Sequence, residues 1–232
     1  MACLYIVATP IGNLEDITGR ALRILGEGEL IACEDSRRTS KLLRHYGLKA
    51  PLTPFHSHNM KKVTPRLLAL LEEGRNLALV TDGGTPGISD PGSYLVALAR
   101  ERGLKVVPVP GPSALSALLS VSGIATDRLT FVGFLSPKSG RRKRQLRELL
   151  ARREALVLFE SPHRILKLLG ELEELAPERS CLIAREMTKL HEEFLLDFPK
   201  KLLTELQGRT NIKGEFSILI MRDKKHQVEL QG

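Results

Sequence analysis

Residues 81 to 92 read TDGGTPGISDPG, four glycines and two prolines in twelve positions. They follow a short apolar run, Leu77 to Val80, that reads as a buried strand, and they precede a helical pattern. So much Gly and Pro cannot form a regular element. The segment makes a folded loop whose backbone N–H and C=O groups stay open to a partner. Open α/β sheets bind small ligands at loops of this kind, at strand carboxyl ends. The expected chemistry is capture of a compact polar ligand.

Further junctions point the same way: Thr9-Pro10-Ile11-Gly12-Asn13, Pro110-Gly111-Pro112-Ser113-Ala114, Glu160-Ser161-Pro162 and Lys213-Gly214-Glu215-Phe216. All but the last lie at strand carboxyl ends. Each alone could be a plain turn, and it is their joint placement that suggests a site. No Gly-Lys-Ser/Thr follows the glycines and no G-x-G-x-x-G opens a helix, which argues against NTPase or dinucleotide chemistry.

Charged groups crowd these junctions. Arg37, Arg38, His163, Arg164 and Arg185 lie beside them, and arginine suits phosphate through its paired donors. The run Lys138, Arg141, Arg142, Lys143, Arg144 and Arg147 places its charges within about two helical turns, with few acids before Glu148. It reads as an RNA footprint, a solvated helix face being the alternative. His56 and His58 would share one face of a strand and point at substrate. Metal ligation needs a third partner that the sequence does not place, so no metal is expected.

The elements that must position these groups alternate along the chain. Strands are expected at Cys3–Ala8, Leu30–Cys33, Leu77–Thr81 and Val106–Val109. Helices are expected at Ile17–Leu25 (capped by Asp16), Ser36–His45, one opened by Thr64-Pro65 and closed at Gly74, and Ser93–Arg102. Pro108 to Pro112 cannot continue a central strand and reads as a hinge. Beyond it come helix Ala114–Ser122, strand Thr130–Phe134, helix Arg141–Ala151, strand Leu156–Glu160 and helix Ile165–Leu175, the last opened by Ser161-Pro162. Strands Cys181–Arg185, Glu193–Phe198 and Phe216–Met221 and helix Lys200–Gln207 complete the chain. The fold class is α/β: two α/β domains, 1–111 and 112–225, around a central cleft, with a tail at 226–232.

Bulk properties set limits. At 232 residues and 42% hydrophobic, the chain is globular, and its apolar runs are strand-sized, too short to span a membrane. The start, Met1–Ala8, reads as a strand and not as a signal peptide. Three scattered cysteines fit neither a disulfide frame nor a zinc site, and suggest the cytoplasm. A net charge of +8 favours an anionic partner, nucleic acid foremost. With three Tyr, seven Phe and no Trp, backbone contacts should dominate over base stacking.

The segments LYIVATPIGNLEDIT, CEDSRRTSKLL, PFHSHN, LVTDGGTPGISDPG, VPVPGPSA, FVGFLSPKSGRR and FESPHRI together resemble the ribosomal RNA small-subunit methyltransferase I branch of the tetrapyrrole methylases. PGPSA and the DPG loop are shared by the wider superfamily; TPIGNL, EDSRRT, FHSHN and SPHR mark the RNA branch. The resemblance runs from Leu4 to about Ile220. It implies S-adenosylmethionine as cofactor, no metal, a homodimer, and 2′-O-methylation of a cytidine in the decoding region of small-subunit ribosomal RNA.

On that reading the cofactor is lined by Pro10, Gly12, Asp82, Gly83, Gly84, Pro86, Gly87, Ile88, Asp90, Ser113, Ala114, Glu160, Pro162, Arg185, Gly214 and Glu215. Asp82 or Asp90 could hold its ammonium or a ribose hydroxyl, or could simply close an Asx-turn. A ribose hydroxyl is a weak acid, so a nearby base should help. Asp35 and Glu186 are the chosen candidates, with Glu34 and Glu160 beside them. RNA contacts fall to Arg37, Arg38, His56, His58, Lys138, Arg141, Arg142, Arg144, His163 and Arg164. Two other readings stay open: a methyltransferase for a polycarboxylate tetrapyrrole, and a non-catalytic RNA-binding protein.

Overall fold

A computed structural model describes residues 2–124 and 128–222, so the expected 226–232 tail lies outside the described residues. The chain divides into two compact units between Ser113 and Ala114.

The first unit is a three-layer sandwich. Its sheet has five strands, β1 (Cys3–Val7), β2 (Leu30–Cys33), β3 (Leu52–Pro54), β4 (Leu77–Val80) and β5 (Lys105–Val109), in the order β3-β2-β4-β1-β5. Every pairing is parallel. β2 and β4 are buried at every position because helices cover both faces, which is why they read as unbroken apolar runs. On one face α1 (Gly19–Glu27) and α2 (Ser36–His45) pack Ala21, Ile24, Leu25 and Leu43 against Val7, Ile31, Cys33 and Val80. On the other, α3 (Met60–Glu72) and α4 (Gly92–Glu101) pack Leu67, Leu68, Leu71, Leu95 and Ala99 against Leu4, Ala32, Leu77 and Leu79.

The second unit has a mixed sheet, β6 (Leu129–Phe134), β7 (Ala155–Glu160), β8 (Cys181–Arg185), β9 (Glu193–Asp197) and β10 (Phe216–Ile220), in the order β6-β7-β10-β8-β9. β6 and β7 are parallel, whereas β10 runs antiparallel to β7 and β8. Helices α6 (Ser139–Leu150), α7 (Ile165–Leu175) and α8 (Pro199–Gln207) cover one face around Leu146, Leu169, Leu202, Ile183 and Ile218. The short α5 (Ala114–Ser120) packs on β10.

Several boundaries differ from expectation for identifiable reasons. Thr18, not Asp16, caps α1, its hydroxyl accepting from Ala21 N at 3.1 Å, while Leu14–Asp16 forms a separate 3-10 turn. α3 starts at Met60, a turn before Thr64-Pro65. Pro65 lies on the solvent face, and so does Lys61, whose carbonyl loses its donor there and can be hydrated. Ser161-Pro162 forms a turn ahead of α7, with the Ser161 carbonyl accepting from Arg164 N and Ile165 N. Pro108 does sit within β5, but β5 is an edge strand, where a missing ladder donor is tolerated.

Candidate functional site

The carboxyl edge of the first sheet gathers most of the chemistry-bearing motifs, because all five strands point the same way. β1 leads into α1 on one face and its neighbour β4 leads into α4 on the other. Adjacent strands whose connections leave in opposite directions open a crevice, the usual ligand position in such sheets. From β5 to β3 the edge carries Pro110–Ser113, Thr9–Asn13, Thr81–Gly92, Glu34-Asp35 and His56–His58.

Close backbone packing sets the crevice walls. Thr9 and Gly84 exchange both main-chain hydrogen bonds, at 3.0 and 2.8 Å, joining the first loop to the glycine-rich one. Gly84 and Gly87 have φ of 88° and 92°, the left-handed region that glycine enters without strain. A Cβ on Gly83 would lie 3.1 Å from the Pro10 carbonyl oxygen, and one on Gly111 would lie 3.0 Å from Ala8 Cβ. Pro86 is buried, Ile88, Ser113 and Ala114 are half-buried, and Gly12 is exposed.

The expectation that the glycine backbone is open needs correction. Gly84 uses both of its main-chain groups on Thr9. Gly87 N donates to Asp90 Oδ1 at 2.6 Å and Gly92 N to the same oxygen at 3.1 Å, so Asp90 closes the loop as an Asx-type turn. Asp82 Oδ1 accepts from Asp35 N at 3.0 Å, and its Oδ2 lies 3.4 Å from Arg38, tying the β4 loop to the start of α2. The loop is held by its own hydrogen bonds before any ligand arrives.

The carboxylates beside it differ in kind. Asp35 is the N-cap of α2, accepting from Arg37 N at 2.8 Å, and its carboxylate is gripped by the Arg37 side chain at 3.1 and 2.7 Å. That pairing holds the carboxyl well below the usual range. Asp35 is therefore committed to the helix cap, not to accepting a proton. Glu34 behaves oppositely. Half-buried, it is pushed upward by burial and then by repulsion from Asp82 and Asp90. Sequence reasoning set it second to Asp35, since a cap and a desolvated acid look alike in a Glu-Asp pair.

His56 and His58 lie in a turn after β3, not on a strand, with ring centroids 6.0 Å apart. Asn59 shapes that turn, accepting from His56 N at 2.8 Å and donating to the Pro54 carbonyl at 3.0 Å. His56 Nδ1 is buried without a hydrogen-bond partner among the described residues. No group of three His, Cys, Asp or Glu side chains placed to hold a metal occurs among them.

In the second unit, Glu160, Arg185 and Phe216 lie abreast, because β10 pairs with both β7 and β8. Glu160 is buried, accepts from Ser161 N at 2.8 Å and meets Arg164 at 3.1 Å. Arg164 also donates to the Leu135 and Ser136 carbonyls at 2.8 and 3.3 Å, so it braces a loop and offers little to RNA; its neighbour His163 is exposed and Pro162 half-buried. Arg185 donates to the Lys213 carbonyl at 2.9 Å and pairs with Glu193. Glu186 accepts from Lys189 at 2.8 Å and from Glu215 N at 3.0 Å. Burial raises its carboxyl, but Lys189 and the Glu215 amide outweigh it and the net direction is downward. That disfavours Glu186 as a base. Gly214 is obligatory beside it: φ is 101° and a Cβ would lie 2.5 Å from Glu186 Cγ.

The basic run on α6 also separates. Arg142 is 2% exposed and forms a double hydrogen bond with Glu171, at 2.6 and 2.7 Å. It is a core residue and cannot contact RNA, which corrects its assignment as an RNA contact. Lys143 and Arg147 pair with Glu174. Lys138, Arg141 and Arg144 are exposed, with no ion-pair partner among the described residues.

Comparison with known proteins agrees with the motifs. The family described as tetrapyrrole (corrin/porphyrin) methylases matches residues 3–199. A protein of Synechocystis sp. named ribosomal RNA small subunit methyltransferase I is 47% identical over 95% of this chain and 79% of its own length. A protein of the same name from Coprothermobacter proteolyticus is 43% identical over 94% of this chain and 96% of its own. The chain belongs to the ribosomal RNA small-subunit methyltransferase I branch of the tetrapyrrole methylases. Solved structures share the fold at lower identity. Uroporphyrin-III-C-methyltransferase from Thermus thermophilus has a TM-score of 0.65 and 23% identity, covering 99% of both chains. Diphthine synthase has a TM-score of 0.70 and 14% identity, covering 95% of this chain and 90% of its own. Among the described residues no helix is long and apolar enough to cross a membrane.

Proposed function

We propose that the chain transfers a methyl group from S-adenosylmethionine to the 2′-hydroxyl of a cytidine ribose in the decoding region of small-subunit ribosomal RNA. What carries the reading is the 47% identity, over nearly the whole chain, to a relative named for that RNA, with three of the RNA-branch motifs, TPIGNL, EDSRRT and FHSHN, meeting the superfamily's loops on the first sheet's edge.

The residues fit the cofactor. A Cβ at Gly83 or Gly111 would crowd the Pro10 carbonyl oxygen or Ala8 Cβ, at 3.1 and 3.0 Å, so the loops pack closely and are held in shape before a ligand arrives, and Asp82 and Asp90 would be the acids that meet its ammonium or ribose hydroxyls. Bound S-adenosylmethionine supplies an already activated methyl, so the protein's main task is alignment, which can contribute roughly 7–11 kcal/mol. Pro10, Gly12, Gly83, Gly84, Pro86, Gly87, Ile88 and Ser113 would hold it from the first unit.

Glu34 takes the hydroxyl proton as the oxygen–carbon bond forms. Burial and its acidic neighbours raise its proton affinity toward the range useful for a base. His56 and His58 stand on the next strand's loop and on this reading meet the acceptor nucleotide. Arg37, Arg38, Lys138, Arg141, Arg144 and His163 supply RNA contacts. The active protein is a homodimer working in the cytoplasm.

The test is transfer of labelled methyl to small subunits that lack the modification. Label in a free tetrapyrrole but not in the particle would support the tetrapyrrole reading. Binding without transfer to either would support a non-catalytic role.

A further inference from the structure

α2 carries a basic surface that reaches beyond the Arg37-Arg38 pair. The helix leaves the carboxyl edge of β2 directly after Glu34 and Asp35. It presents Arg37, Lys41 and Arg44 at i, i+4 and i+7, a single helical face, with Arg38 beside them. At about 1.5 Å per residue the row extends about 10 Å away from the edge. An open concavity of about 640 Å³ follows it, lined by Asp35, Arg37, Arg38, Ser40, Lys41 and Arg44.

The charges in this groove are available. Lys41 and Arg44 are exposed and have no ion-pair partner among the described residues. Arg37 and Arg38 touch Asp35 and Asp82, yet 87% and 63% of their side chains remain open to solvent. No aromatic or aliphatic side chain lines the concavity, so it offers neither a stacking platform nor the apolar centre of a protein interface. A row of cations along one groove instead matches the regular negative charge of a phosphodiester backbone, which positions a strand without reading its bases.

We infer that the α2 groove binds the phosphate backbone of the RNA strand flanking the acceptor nucleotide, with Lys41 and Arg44 as its phosphate contacts. This rests on the RNA reading above and extends it to Lys41, inside the CEDSRRTSKLL segment, and to Arg44 just beyond it, neither of which the motifs assigned to RNA. The strand runs from the Glu34 edge along the helix, so the groove fixes how the nucleotide enters.

The test is binding of the full chain to small subunits lacking the modification, across a salt series, for wild type, Lys41→Ala/Arg44→Ala and Arg141→Ala/Arg144→Ala. Each lost phosphate contact lowers the slope of log affinity against log salt by about 0.7 for a single strand. The α2 double variant should lose about 1.4 in slope and bind roughly tenfold more weakly near physiological salt. Lys41→Arg/Arg44→Lys should restore both, and all variants should melt like wild type. An unchanged slope for Lys41→Ala/Arg44→Ala, beside a reduced one for Arg141→Ala/Arg144→Ala, overturns the groove and leaves the RNA reading standing. A wild-type protein with no salt-dependent binding overturns both.

Discussion

Removing Arg142 should unfold the second unit far more readily than its place in a basic run suggests. Its guanidinium meets Glu171 through two hydrogen bonds of 2.6 and 2.7 Å, and Ser139 Oγ donates to the same carboxylate at 2.8 Å. The two side chains are 2% and 7% exposed. Arg142→Ala leaves Glu171 charged, buried and held only by Ser139, a change that typically costs about 3–5 kcal/mol. For a domain of this size each kcal/mol shifts the melting temperature by about 4 °C, so calorimetry should show a drop of about 12–20 °C. The double change Arg142→Met/Glu171→Leu removes both charges and should recover most of that loss. A drop of less than about 4 °C for the single variant would refute the reasoning. The pH dependence has a definite sign. Burial raises the Glu171 carboxyl, but Arg142 and Ser139 outweigh it and the net direction is downward. Its stabilisation is thus present above the ordinary glutamate pKa and is lost as pH falls through the lowered value.

The double Arg142→Met/Glu171→Leu should also leave the salt dependence of RNA binding untouched, whereas Arg141→Ala/Arg144→Ala should lower its slope by about 1.4; equal slopes for the two pairs would reinstate Arg142 as a contact. Glu34→Gln should slow methyl transfer by about 10²–10⁴-fold while cofactor affinity, read by calorimetry, stays as in wild type. Because its carboxyl is raised, the wild-type rate should fall as pH drops through that raised value, and the variant should lose this limb of the profile. Gly111→Ala should cost about 1–3 kcal/mol of stability, since the new methyl would meet Ala8 Cβ at 3.0 Å, and should weaken cofactor binding; an unaltered melting curve and affinity would remove the close approach from the account.

Much of this architecture can be read from the chain because its signals are local. Helix Ser36–His45 is legible to the residue, since a capping-type residue, Asp35, stands before it, Arg44 and His45 close it and Gly47 follows. The parallel sheet follows from apolar runs separated by helical patterns. What stays hidden depends on partners distant in sequence. Arg142 resembles its exposed neighbours until Glu171, 29 residues onward, is folded against it; its only local sign is the spacing Arg142, Leu146, Leu149 on one helix face. Asp35 and Glu34 are adjacent, and the choice between cap and raised acid is made by Arg37 and by Asp82, 47 residues beyond Asp35. Thr64-Pro65 imitates a helix start because the true one, at Asn59, makes no side-chain cap bond. β3 is three residues long and ends in proline, too little for a period-two pattern to show.

The most direct test of the central claim is nucleoside analysis of small-subunit RNA after incubation with the purified chain and labelled S-adenosylmethionine. The account predicts that the label appears in a single 2′-O-methylcytidine within the decoding region. Label on a base, in a tetrapyrrole, or in no acceptor at all would contradict it.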